Sequence, residues 1–173
     1  MRPLVTGEKI ERLMFALGQS VRGPGTIFFT GGVTALLHGW RDTTIDIDLK
    51  ALPEPSGLYE ALAQLKERES VNIELASPDD FIPELPGWRE RSLFIARHGQ
   101  IDFYHYDPYA QALAKIERGH TRDLADAESM IAVGLVDRAK LLELFAEIEP
   151  SLIRYPAVEA RVFRRKVERF VAL

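Results

Sequence analysis

FFTGGVTALLHGWRDTTIDIDLK, spanning Phe28–Lys50, decides how the rest of this chain is read. Ile27, Phe28 and Phe29 favour a strand, and Gly31-Gly32 then lets the backbone turn tightly and approach a ligand before a helix opens over Val33 to His38. A helix start leaves N–H groups without intrahelical partners, a natural place for phosphate. Thr44 to Leu49 reads as a second strand by its alternation, with Ile45, Ile47 and Leu49 on one side and Thr44, Asp46 and Asp48 on the other. Two carboxylates therefore project from one face.

An amphipathic strand with a wet face accounts for the alternation by itself. Aspartate is nevertheless poor in strands, and like charges one residue apart repel unless a cation lies between them. Magnesium or another hard divalent ion supplies that cation and links carboxylate to phosphate. A phosphate cradle and an acid pair so close in sequence point to nucleotide chemistry.

These residues resemble the polymerase-β-like nucleotidyltransferase superfamily, whose signature is Gly followed by Gly or Ser, about a dozen residues, and Asp-x-Asp among apolar neighbours. Here Gly31-Gly32 precedes residues 33–45 and then Asp46-Ile47-Asp48. The form with Arg41, Thr43, Asp46 and Asp48 looks most like the toxin and abortive-infection (AbiEii-like) branch. Thr30 stands where relatives are usually apolar, and Gly32 where some carry Ser. The resemblance implies a small mixed α/β (α+β) sheet flanked by helices, with Asp46 and Asp48 holding Mg²⁺ or Mn²⁺. Gly31, Gly32 and Arg41 would face the NTP.

The 173 residues, 46% apolar and 28% charged, suffice for one compact soluble domain or one core with an appendage. A net charge of −4 gives no global attraction to nucleic acid, so an RNA substrate needs a local basic patch. Absence of cysteine excludes disulfides and thiolate zinc sites. MRPLVTGEKI lacks an apolar signal core, and no apolar run approaches the roughly 18 residues that span a membrane. The expectation is a cytoplasmic protein.

Taken in order, Glu8 to Gln19 carries Ile10, Leu13, Met14 and Leu17 at helical spacing. Ser56 is a reasonable N-cap for a helix with Leu58, Leu62 and Leu65. Val71 to Leu75 forms a third strand, with Glu74 assigned to solvent, and Trp88 reads as a core plug within a loop. Ser92–His98 and Gln100–His105 form a hairpin about Gly99. His98 and His105, scattered on strands, are weak ligand candidates. Asp102, inside the apolar second arm, is either a satisfied core acid or a functional one. The resemblance assigns it the third carboxylate, completing the metal site and taking the acceptor's proton.

Residues 1–106 thus read as the α/β core and 107–173 as a helical part. Asp107-Pro108 opens a helix that Gly119 closes, Thr121 caps the next, and Asp137 opens another through Ile148. The last, Ala157 to Leu173, buries Val158, Val162, Val167, Phe170 and Val171. It also carries Arg161, Arg164, Arg165, Lys166 and Arg169, either a solvated face or a phosphate-binding one. Within this part Lys115, Arg122, Asp123 and Asp126 resemble the later toxin-branch motifs, a helical Lys followed by Arg-Asp-x-x-Asp. That resemblance places Lys115 and Arg122 on the triphosphate, with Asp123 and Asp126 orienting Lys, base or ribose.

The resemblance implies transfer of a nucleoside monophosphate from an NTP to an acceptor hydroxyl with release of pyrophosphate. Its toxin branch implies tRNA as acceptor and an antitoxin as protein partner. A small-molecule, antibiotic-type acceptor is the enzymatic alternative. A nucleotide-binding or partner-binding module without turnover is the other.

Overall fold

A computed structural model describes residues 3–173. The chain divides into two compact units, one comprising the chain up to Ser77 with Ser92–His105, the other Pro78–Arg91 with Tyr106–Leu173. Residues 78–91, read from sequence as part of the α/β core, group with the helical unit. Among the described residues no helix is long and apolar enough to cross a membrane.

The first unit is a mixed five-stranded sheet with helices. Helix α1 (Gly7–Ser20) starts where Thr6 accepts from the Lys9 N–H, and it buries Ile10, Leu13, Met14 and Leu17 at the expected spacing. Strand β1 (Gly25–Thr30), helix α2 (Gly32–His38), strand β2 (Asp46–Ala51), helix α3 (Leu58–Glu69) and strand β3 (Asn72–Leu75) follow. Strands β4 (Leu93–His98) and β5 (Ile101–His105) complete the order β3-β2-β1-β5-β4. Strand β1 runs antiparallel to β2 and parallel to β5, while β2 and β3 are parallel and β4 and β5 antiparallel.

Alternation then sorts the sheet into two faces. Ile27, Phe29, Ile47, Leu49, Ile73, Ile101 and Phe103 join the leucines of α1 and α3 in one buried cluster. Thr26, Phe28, Thr30, Asp46, Asp48, Glu74, Asp102 and Tyr104 have the opposite parity.

Two local expectations change. Strand β2 begins at Asp46 rather than Thr44, because Thr44 makes an isolated bridge to Val5, and Ile45 is left 40% exposed while Thr44 is buried. Helix α3 has Gly57, not Ser56, at its N-cap, in a left-handed conformation beside the Arg22 guanidinium.

The second unit contains a 3₁₀ turn at Pro78–Asp80 and helices α4 (Trp88–Arg91), α5 (Pro108–Arg118), α6 (Thr121–Ala132), α7 (Arg138–Ile148) and α8 (Ala160–Val171). A second 3₁₀ stretch, Glu149–Arg154, follows α7. Trp88 lies in a short helix and stacks on Tyr106 with ring centroids 4.7 Å apart, as a core plug should. Asp107 caps α5 through the Tyr109 N–H, and Gly119 ends it. His120, not Thr121, occupies the N-cap of α6. Helix α8 is shorter than its hydrophobic pattern implied and buries Phe163 with Val167 and Phe170, leaving Val162 and Val171 half-buried. Phe163 meets Phe145 edge-on at 4.9 Å. Arg138 ties three helices, donating to the Phe170 carbonyl and the Glu128 carboxylate.

Candidate active site

The two glycines after β1 are required for different reasons. Gly31 has φ 61° and ψ −125°, a region open in practice only to glycine. Gly32 is required for space, since a Cβ there would meet Thr44 Oγ1 at 2.0 Å. The same construction at Gly31 meets Asp48 Oδ2 at 3.4 Å, so the carboxylate lies directly against the turn. Register agrees, with Thr30 opposite Asp48 across the β1–β2 pair.

On the other side of β2, the parallel strand β3 brings Asn72 beside Asp46 and Glu74 beside Asp48. Ile47 and Ile73 are buried partners, so the flanking residues of both strands share the opposite face. The Asn72 amide nitrogen donates to Asp46 Oδ1 at 2.7 Å and to Glu74 Oε1 at 2.9 Å. One amide thus holds two acids towards each other. Lys50 continues the alternation opposite Phe28 and is the cation nearest in sequence to the pair.

Carboxylate oxygens are the donors that hard divalent ions prefer, and two of these three acids share one amide donor. Among the described residues no group of three or more acids or histidines is placed to hold a metal ion. The acids form a strand-borne row beside the glycine turn.

Asp102 does not join this row. It pairs with Thr26 of β1, whereas Asp48 pairs with Thr30, four residues farther along the same strand. At roughly 3.3 Å per residue the offset is about 13 Å along the strands, with β1 lying between them. Asp102 instead lies 3.4 Å from Arg97 on the neighbouring edge strand. Its face was read correctly and its level was not, so the third acid next to the pair is Glu74. The signal was in the sequence: Asn-x-Glu repeats the Asp-x-Asp spacing one helical crossover later, and such crossovers place strands in parallel. Arg41 is half-buried in the loop after α2, where its N–H reaches the Ala35 carbonyl.

In the helical unit, Lys115, Asp123 and Asp126 are all buried. Lys115 Nζ lies 2.9 Å from Asp126 Oδ2 and 4.0 Å from Asp123 Oδ1. Arg118 grips Asp123 through Nε and Nη2. Burial acts to raise the Asp123 carboxyl, but Arg118 and then Lys115 and His120 prevail and hold it below the usual range. Arg122 is exposed and outside this network. Arg118, which no motif in the sequence singles out, is the arginine that pairs with Asp123.

On α8, Arg164 is committed to Glu149 and lies 3.5 Å from Glu168, while Lys166 donates to the Glu117 carbonyl. Arg161, Arg165 and Arg169 are exposed. Their spacing of four puts them in one row along the helix.

Residues 11–171 match the model of a family described as nucleotidyltransferase of unknown function (DUF6036). No curated protein and no solved structure matches the chain.

Proposed function

Since the chain belongs to this family of nucleotidyltransferases, we propose that the face bearing Asp46, Asp48 and Glu74 moves a nucleoside monophosphate from an NTP to an acceptor hydroxyl. The observation that carries this reading is the row itself, which places two strands' acids side by side and one carboxylate against a glycine turn.

The acceptor oxygen forms a bond to the α-phosphorus as the bond from that phosphorus to the pyrophosphate oxygen breaks. The acceptor's proton goes to a carboxylate, for which Glu74 is the residue of choice because the Asp pair is the metal-binding element. Mg²⁺ or Mn²⁺, held by Asp46 and Asp48, would supply positive charge to the triphosphate oxygens when bound. Asn72 orients Asp46 and Glu74. Gly31 and Gly32 admit the phosphates because no side chain stands between them and the backbone. The toxin-like reading adds tRNA as acceptor and an antitoxin as partner, supported by the resemblance and by the row of arginines on α8.

The test is incorporation of labelled NTPs with Mg²⁺, using tRNA and aminoglycoside acceptors in parallel. Label transfer that disappears with Glu74→Gln and Asp48→Asn, both folded, supports the proposal. Transfer unaffected by both substitutions overturns it.

A further inference from the structure

Histidines that look scattered in the sequence meet on the opposite face of the sheet from the acids. His38 ends α2 and His105 ends β5, and their ring centroids are 4.5 Å apart. Both rings are tied through Nδ1 to the same residue, fully buried Thr34. His38 Nδ1 lies 2.9 Å from the Thr34 carbonyl oxygen, and His105 Nδ1 lies 3.0 Å from Thr34 Oγ1.

That arrangement fixes the chemistry of the free edges. A carbonyl only accepts, so His38 Nδ1 carries the hydrogen and its Nε2 presents a lone pair. A hydroxyl both donates and accepts, so His105 can take the same tautomer and keep its bond. Both rings line one open-sided pocket of about 530 Å³, together with Glu11, Met14, Leu37 and Ala96.

We propose that His38 and His105 form a second ion site, for a borderline first-row divalent ion of the Zn²⁺ class bound through the two Nε2 atoms. Imidazole prefers such ions, and ligating histidines characteristically anchor their other nitrogen on a carbonyl or similar acceptor. Thr34 provides both anchors. Glu11 and His98 line the same pocket and are the candidate third ligands. Among the described residues no group of three acids or histidines is placed to hold an ion, so the two imidazoles would be joined there by water or a ligand. The site is independent of the acid row, since it uses the other sheet face and softer donors.

The test uses the full chain labelled with ¹⁵N at histidine, titrated with Zn²⁺ alone and followed by ring-nitrogen NMR. The expected result is one ion per chain, with the Nε2 signals of His38 and His105 moving while their Nδ1 signals keep the protonated or hydrogen-bonded signature. His38→Gln, at a half-exposed position, should weaken Zn²⁺ binding at least tenfold, with a melting curve as the folding control. Unmoved Nε2 signals, or equal affinity in folded His38→Gln, would overturn the site, and the NMR measurement on the parent decides the matter even if the variant fails to fold.

Discussion

Asp48 and Glu74 stand side by side in the parallel pairing of β2 and β3, and on the same face the Asn72 amide donates to both Glu74 and Asp46. In the proposed reaction the proton goes to a carboxylate close to Asp46 and Asp48, and this pairing puts one there from a different strand. Glu74→Gln should therefore lower transfer by about 10²–10⁴-fold, the usual range for a general base. Asp102→Asn should change it less than about twofold, since that acid is held by Arg97 at another level of the sheet. Parallel rate measurements with circular dichroism controls check both, and the opposite ranking would return the role to Asp102.

The glycine turn makes a separate, steric prediction. Gly32→Ala would force a methyl into Thr44 Oγ1 and Cβ, at 2.0 and 2.7 Å from the ideal position. Overpacking of this kind costs about 1–3 kcal/mol. Thr44→Gly removes the obstructing side chain, so the double variant should recover part of the loss beyond additivity. Additive urea-denaturation values would mean that the turn relaxes by another route.

How far the sequence disclosed these features depended on the range of the interaction. Strands, helix α1, the Asp107 cap and the Gly119 stop were legible because alternation, capping and αL chemistry are local. Asp46, Asp48, Gly31 and Gly32 were legible as a group for the same reason, lying within one strand-turn-helix-strand stretch. Asp102 was misplaced because parity gives the face of a strand but not its register, which is set by β1 pairing with β5 at Thr26. Ile45 failed because Thr44 is captured by Val5, a partner about forty residues away whose bridge no alternation records. His38 and His105 belong to the same class, being 67 positions apart and united only when α2 packs on the end of β5.

Lys115 sits among acids that are themselves buried, so its removal should first be felt as instability. Lys115→Ala removes the Lys115–Asp126 ion pair, and breaking a buried pair typically costs about 3–5 kcal/mol. Lys115→Arg retains charge and should keep more of the stability. Chemical denaturation of both variants checks this; an alanine variant as stable as the parent would show that the acids find other donors.

Acid should loosen the same network. Arg118 and Lys115 hold the Asp123 carboxyl below its ordinary value despite burial, so the unfolded chain takes up a proton there before the folded one. The corresponding stability is present above the unfolded carboxylate value near 3.9 and is lost as pH falls through the lower folded value. Asp123→Asn removes this contribution, and its denaturation midpoint should approach that of the parent as pH falls below about 4. A parent–variant gap that stays constant through that range would assign the stabilisation to packing.

The arginines of α8 give the last prediction, and the structure narrows which of them matter. Arg164 is neutralised by Glu149 and Glu168, and Lys166 donates to a backbone carbonyl, which removes two of five cations from any phosphate-binding face. Arg161, Arg165 and Arg169 remain exposed in a row with successive spacings of four, about 6 Å apart along the helix axis. A chain with net charge −4 has no general attraction for RNA, so binding, if tRNA is the acceptor, should depend on this row. Each phosphate contact releases counterions, and removing one arginine should reduce the slope of log affinity against log salt by roughly one. Arg161→Gln, Arg165→Gln and Arg169→Gln should therefore each weaken tRNA binding most at low salt, whereas Arg164→Gln should change the slope little. Fluorescence titrations across a salt series measure this directly, and equal slopes in all four variants and the parent would leave α8 with its packing role through Phe163, Val167 and Phe170.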